Sequence, residues 1–354
     1  MIRPRWLKYD AALRVDRDTG RVAIEADTDA AASRLARAVA SVRVGPEPSR
    51  AGHCGLRIVP SQESDEAHVQ RVREVLAFIA RGDVYQVNLA RLIELRASGR
   101  PLDVFSGLFK GAPSPYGFFL DFGDMTLCGT SPELALEVRG GSLRTAPIKG
   151  TRPRGVDAIA DLSSARALEA DAKERAELTM AIDLHRNDLG KIATPGSVRV
   201  RCAPRVVAGR TVWSRVAEIV ARRARDTTLD DIARAMLPCG SVTGAPKVRA
   251  MEIIADLEPF RRGLYTGAYG YVGRDGGLVL AMAIRTLEIA SDGTPGERRA
   301  RYVTGGGIVA DSDPWRELEE TRWKAAQLAS LLEECPQSRT KLGRIEEVGV
   351  ALVD

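Results

Sequence analysis

Apolar positions recur along this chain at two periods, and their order predicts the architecture. Residues 1–60 alternate short apolar runs (22–24, 42–44 and 56–59) with Gly and Pro, and a helical stretch over about 30–42 interrupts them. Ser64-Asp-Glu66 then opens a helix in which Val69, Val72, Val75, Leu76 and Ile79 keep the 3.6-residue period and Gly82 closes it. Asp83 to Leu89 alternates as a strand, with Tyr85, Val87 and Leu89 on one face and Gln86 and Asn88 on the other. Strands follow at 118–127, 135–138 and 142–148, then a helical pattern over 163–189 that ends on Gly190. Helices at 230–236 and 246–257, strands at 264–272, 277–287 and 299–303, and a last helix begun by Asp313-Pro314 complete the order. Runs of strands, then helices, then strands again predict an α+β fold rather than a doubly wound sheet.

Composition narrows the function classes. The 354 residues allow two domains or one large unit, and 44% hydrophobic residues suffice for a sizeable core. A net charge of +5 without any basic, aromatic-interleaved run argues against nucleic acid and suits a small anionic substrate. No stretch reaches the ~20 apolar residues of a membrane span, and the start lacks the apolar region of a signal peptide. Five scattered cysteines without a Cys-x-x-Cys pair argue against a disulfide framework or zinc site and predict a cytoplasmic protein. His53, His68 and His185 share no ligand spacing, which sets aside zinc chemistry and histidine-based triads.

The stretch Thr145-Ala-Pro-Ile-Lys-Gly-Thr151 carries the sharpest chemical signal. Only eight of the 52 basic residues are lysine, and the neighbours here are Arg144, Arg152 and Arg154. Arginine would serve a surface salt bridge, whereas only lysine supplies an amine that can lose its proton. Lys149 therefore reads as a nucleophile or base, or else as a strand-end lysine in solvent. Glu174/Glu177 and Glu317/Glu320 are two i,i+3 pairs on helices far apart in sequence. Singly each is a solvated face; together they offer an oxygen-only set for a hard divalent cation, with Mg2+ the natural candidate. Arg285, in an otherwise apolar run, is either a bidentate carboxylate anchor or an arginine on the wet face of a strand. Gly305, Gly306 and Gly307 could cradle a carboxylate with their N–H groups, or form a bulge or turn at a strand end. The segment from Pro238 to Lys247 imitates a phosphate loop, but Gly244 is followed by Ala245-Pro246 rather than Lys-Ser/Thr, which excludes that reading.

Over residues 64–333 the chain closely resembles the chorismate-utilising enzymes. The matching motifs are Gly82-Asp-Val-Tyr-Gln-Val-Asn-Leu89, Ser131-Pro-Glu133, Pro147-Ile-Lys-Gly-Thr151, Asp183-Leu-His-Arg-Asn-Asp-Leu-Gly190 and Gly240-Ser-Val-Thr-Gly-Ala-Pro-Lys247, followed by Tyr265-Thr-Gly267, Ile284-Arg-Thr286 and the run from Gly305 to Pro314. Gln86 stands where isochorismate-forming relatives carry a water-activating lysine, which implies ammonia rather than water as nucleophile. Lys149 stands where anthranilate synthases typically carry alanine, and resembles the aminodeoxychorismate synthase (component I) branch. Two departures accompany these matches: Ser214 occupies the usual histidine position and Ala217 the usual serine position.

The resemblance implies two facing, mainly antiparallel sheets with outer helices, and Mg2+-dependent amination of chorismate to 4-amino-4-deoxychorismate for para-aminobenzoate and folate synthesis. Glu177 and Glu320 would be direct metal ligands, with Glu174 and Glu317 supporting them. Lys149 would attack ring carbon 2 in its neutral form while Glu133, as general acid, protonates the departing 4-hydroxyl. Arg285, Tyr265 and the Gly305, Gly306 and Gly307 amides would hold the enolpyruvyl carboxylate. Gly150, Thr151 and Ser241 would line the ring-carboxylate side, and Gln86 would also border the substrate. Ammonia would come from a separate glutamine amidotransferase subunit. The alternatives are an anthranilate synthase component I and a weakly active or non-catalytic chorismate-binding homologue. In domain terms, 1–63 is expected to be a shortened N-terminal part of the same unit, 64–333 the catalytic domain and 334–354 a tail. The short N-terminal part implies no feedback by tryptophan.

Overall fold

The structure, a computed structural model, describes residues 5–16, 19–42, 54–60, 63–210, 212–291 and 297–332. The expected tail at 334–354, His53, Cys335 and most of the 42–44 run lie outside the described residues. The chain divides into two compact units, Met1–Ala51 and Gly52–Asp354. In the first, β1 (Ala11–Val15) and β2 (Val22–Ala26) form a hairpin, and α1 (Asp29–Ser41) follows with the Thr28 side chain capping its N-terminus.

The second unit opens with β3 (Leu56–Ile58), α2 (Asp65–Ala80), β4 (Gln86–Ser98) and α3 (Pro101–Gly111). The hairpin β5 (Tyr116–Asp121) and β6 (Met125–Ser131) leads into β7 (Leu134–Arg139), β8 (Ser142–Ala146) and β9 (Ile148–Pro153). Two helices, α4 (Ala158–Ala170) and α5 (Ala172–Gly190), precede β10 (Arg199–Ala208), β11 (Val212–Arg222) and α6 (Leu229–Met236). The chain closes with β12 (Gly244–Ala245), α7 (Lys247–Leu257), β13 (Ala268–Val272), β14 (Leu278–Met282), β15 (Thr286–Ala290), β16 (Glu297–Ile308) and α8 (Pro314–Ala325).

The strands form two seven-stranded sheets. One runs β12-β4-β16-β15-β6-β5 with β3 added on β4; the other runs β10-β11-β8-β7-β14-β13 with β9 added on β11. Every named strand pairing is antiparallel, and helices cover the sheets, so the fold is α+β. Leu178, Ile182 and Leu189 of α5 pack on Leu136, Leu143 and Ile219 of one sheet. Val104 and Leu108 of α3 pack on Leu95, Leu287 and Tyr302 of the other. Each such fully buried Leu or Ile stabilises the fold by roughly 1.5–3 kcal/mol.

Four local differences from the sequence pattern have physical causes. The 163–189 pattern is two helices, because the Asp171 carboxylate turns back to accept from the Glu174 N–H and starts α5 afresh. The 118–127 run is the β5–β6 hairpin, with Gly123 at φ +83° in the turn. The 277–287 run is two strands in different sheets, broken where Arg285 takes φ +53°. Gly305, Gly306 and Gly307 lie inside β16, opposite Ala90, Leu89 and Asn88 of β4, rather than in a turn.

The chain passes between the two sheets four times after β6: from β6 to β7, β11 to β12, β12 to β13 and β14 to β15. Glu133, Ser241, Tyr265 and Arg285 stand one at each passage. The only described non-glycine residues with positive φ, Thr266 (+64°) and Arg285 (+53°), sit at two of these passages. A β-branched threonine in that region stores strain that the surrounding packing must hold.

Candidate active site

Glu133 is buried, and its N–H donates to Ser131 Oγ at 3.3 Å. Ser241 Oγ lies 3.4 Å from Glu133 Oε1, and Lys149 Nζ donates to the Ser241 carbonyl at 3.2 Å. Burial pushes the Glu133 carboxyl up to about 7, against the opposing pull of the Lys149 charge. The aim of Lys149 comes from a bulge. Lys149 pairs with Arg215 and Thr151 with Ser214, leaving Gly150 as the extra residue at φ +70°.

The four glutamates come together from α5 and α8. Lys173 Nζ reaches both Glu177 (3.8 Å) and Glu317 (3.5 Å), and Lys324 Nζ bonds Glu320 at 2.6 Å. Two glycines let the strands approach this cluster. A Cβ on Gly306 would stand 3.2 Å from Glu317 Oε2 and 3.4 Å from Glu320 Oε1, and one on Gly150 would stand 3.1 Å from Glu174 Oε2. Burial, with Glu177 and Glu320 nearby, pushes Glu174 up to about 7; burial also raises Glu317, whereas Lys324 lowers Glu320.

Among the described residues, no three carboxylate, imidazole or thiol groups converge closely enough to form a metal shell as they stand. The donor set nevertheless fits a hard cation. Its ligand atoms are all oxygens, its floor is glycine, and Glu317 Oε2 is buried without any hydrogen-bond partner. Lys173 and Lys324 offset part of the carboxylate charge.

A second group of residues lies on the opposite face of β16. Gln86 Nε2 is buried without a partner and faces Gly307, where a Cβ would come within 2.6 Å of it. Tyr265 Oη would stand 2.8 Å from a Cβ on Gly305 and accepts from Asn88 Nδ2 at 3.5 Å. The Ala90 N–H goes to Glu258 and the Asn88 N–H to the Thr243 carbonyl, both away from β16. Their ladder partners Gly305 and Gly307 therefore turn their own N–H groups away from β4, whereas Gly306 bonds into the ladder. β15 ends its pairing with β16 at Tyr302, so that side of Gly305 and Gly307 is not covered by the sheet. Arg285 is half-buried and pairs with no carboxylate among the described residues. Thr151 is exposed on β9, and Ala217 is buried in the apolar cluster beneath α5.

Three charged or titratable residues of the site escaped the sequence reading. Lys173 and Lys324 each stand four residues from a site glutamate on the same helix, a spacing that would have marked them. His185, set aside with the other histidines, is fully buried against Ser241 and Thr145. It lies on the stripe Leu178, Ala181, Ile182, His185, Leu189, the inward face of α5, where an imidazole needs polar partners.

A family model described as chorismate binding enzyme matches residues 3–330, and the chain belongs to that family. Anthranilate synthase component 1 of Streptomyces coelicolor is 39% identical over an alignment of 310 residues that covers 84% of this chain and 59% of that protein. Aminodeoxychorismate synthase of Streptomyces griseus is 38% identical over 316 residues, which are 89% of this chain and 43% of that protein. The chain thus spans about half the length of these curated relatives. The crystal structure of anthranilate synthase component I from Streptococcus pneumoniae superimposes with a TM-score of 0.77 at 31% identity, covering 90% of this chain and 72% of that one. No helix among the described residues is long and apolar enough to cross a membrane.

Proposed function

We propose that the chain aminates chorismate with ammonia to 4-amino-4-deoxychorismate, as component I of an aminodeoxychorismate synthase. The observation that carries this reading is the amine of Lys149 beside the buried Glu133 carboxyl, both tied to Ser241. The Lys149 amine attacks ring carbon 2 and the double bond shifts. The carbon–oxygen bond at carbon 4 breaks, and Glu133 gives its proton to the hydroxyl, which leaves as water. Ammonia then adds at carbon 4, the double bond shifts back, and the bond to Lys149 breaks, so that chorismate and ammonia become aminodeoxychorismate and water.

Glu177 and Glu320, supported by Glu174 and Glu317, would hold a Mg2+ ion that, when bound, supplies positive charge for the ring carboxylate. Arg285, Tyr265 and the outward N–H groups of Gly305 and Gly307 bind the enolpyruvyl carboxylate, and Gln86 borders the ring. Gly150 brings β9 close to Glu174, which sets Lys149 beside the metal-binding side of the site. A separate glutamine amidotransferase supplies the ammonia.

The competing reading is an anthranilate synthase component I, favoured by the name of the S. coelicolor relative; identities of 39% and 38% do not separate the two. In that reaction ammonia adds at carbon 2, pyruvate leaves, and Lys149 has no covalent part. Incubation with chorismate, ammonium and Mg2+, followed by chromatography, tests the choice. Aminodeoxychorismate supports the proposal, whereas anthranilate or an unchanged substrate overturns it.

A further inference from the structure

A chain of four buried hydrogen bonds runs from a backbone carbonyl to the Glu133 carboxyl. Thr145 Oγ1 lies 3.5 Å from the Leu134 carbonyl, and His185 Nδ1 lies 2.7 Å from Thr145 Oγ1. His185 Nε2 lies 3.1 Å from Ser241 Oγ, which lies 3.4 Å from Glu133 Oε1. Burial holds the imidazole neutral, with its titration pushed down to about 4, so it carries one ring hydrogen.

Counting hydrogens gives the chain a direction. The Leu134 carbonyl can only accept. If Thr145 donates to it, His185 donates from Nδ1 to Thr145 and accepts at Nε2 from Ser241. The Ser241 oxygen then accepts from a protonated Glu133, and all four contacts hold a hydrogen. With Glu133 ionised the order reverses: Ser241 donates to the carboxylate, His185 donates from Nε2, Thr145 donates to Nδ1, and the Leu134 contact loses its hydrogen. A buried polar chain favours the direction that fills every contact.

We propose that His185 is a positioning residue whose Nδ1–H tautomer, acting through Ser241, holds Glu133 in its acid form. It takes Glu133 as the acid of the proposed amination and adds the group that keeps the proton there. The charges facing the chain come from several elements. Lys149 of β9 and Lys324 of α8 act on Glu133 and favour its anion, while the buried Cys239 thiol, also close by, stays neutral. Asp188 of α5, Lys247 of α7 and Lys149 act on His185. The hydrogen-bond order opposes the two lysines at Glu133.

The test is the tautomer of His185 in 15N-histidine-labelled protein, its signal assigned by its absence in His185→Gln. The expected result is a hydrogen on Nδ1 at about pH 5.5 that moves to Nε2 by about pH 8.5, and that stays on Nδ1 throughout in Glu133→Gln. One unchanged tautomer across that range in the wild type would overturn the inference. In turnover, His185→Leu is expected to move the basic limb of the kcat profile down by about one pH unit, with the KM for chorismate changed less than about twofold. His185→Gln, which keeps a donor and an acceptor, should restore part of the shift; a basic limb unmoved in His185→Leu also counts against the inference. The spectrum needs no turnover. Tautomer coupling in a protein that makes no aminodeoxychorismate would leave the chain intact and remove only the reaction assigned to it.

Discussion

Lys149 Nζ donates to the main-chain carbonyl of Ser241 at 3.2 Å, and the hydroxyl of the same serine reaches Glu133 at 3.4 Å. One residue at a passage between the sheets thus sets the spacing of the proposed nucleophile and the proposed acid. Lys149 comes from β9 of one sheet, while Glu133 and Ser241 lie where the chain leaves one sheet for the other.

Replacing Glu133 by Gln keeps the shape and removes the transferable proton. Turnover of chorismate is expected to fall about 10²–10⁴-fold, with KM little changed. Steady-state kinetics check this, and a loss confined to KM would reassign Glu133 to binding.

The same substitution should stabilise the protein in a pH-dependent way. A carboxyl that keeps its proton up to about 7, rather than the ordinary 4.5, binds more protons folded than unfolded between those values. Wild-type stability therefore falls as pH rises through that window, while Glu133→Gln lacks this loss. The variant should gain on wild type by on the order of 3 kcal/mol at about pH 8 and by almost nothing at about pH 4. Thermal melts at the two pH values decide it; an equal difference at both would mean that Glu133 titrates normally.

Gly306→Ala would press a Cβ against Glu317 Oε2 at 3.2 Å and Glu320 Oε1 at 3.4 Å. Gly306 has no positive φ, so the strand itself tolerates alanine. Calorimetric Mg2+ affinity should drop about tenfold or more, with the melting temperature within a few degrees of wild type. Unchanged affinity would detach the Glu317/Glu320 pair from the metal.

Gly150→Ala faces both a φ of +70° and a Leu168 Cδ1 only 2.8 Å from the added Cβ. A stability loss of about 1–3 kcal/mol is expected. Turnover per folded molecule should fall as well, because the bulge that aims Lys149 is disturbed. Full activity in the folded fraction would show that the bulge does not set the lysine.

Helices α2 and α8 and their caps are legible because Ser64, Asp313 and the spaced apolar positions act locally, whereas α3 and the restart of the chain at Asp171 between α4 and α5 are not marked in the pattern. Four of the sequence-named residues turn out to stand at the passages between sheets, which no local pattern reveals. The run from Leu278 to Leu287 is apolar apart from Arg285-Thr286, and its periodicity does not mark the change of sheet at Arg285. In the sequence Gly305–Gly307 reads equally as a carboxylate cradle and as a bulge or turn at a strand end; inside β16 these glycines give Tyr265, Gln86, Glu317 and Glu320 room to approach the backbone. His185 was missed because its partners, Thr145 and Ser241, lie 40 and 56 residues away in sequence.

The most direct measurement is the mass of the Lys149 peptide after mixing the protein with chorismate and Mg2+ in the absence of ammonia and quenching. An adduct equal to chorismate less one water is expected on Lys149, absent in Lys149→Ala and discharged to aminodeoxychorismate when ammonium is added. Chorismate consumed to anthranilate once ammonium is present, with no adduct on Lys149 at any time, would contradict it.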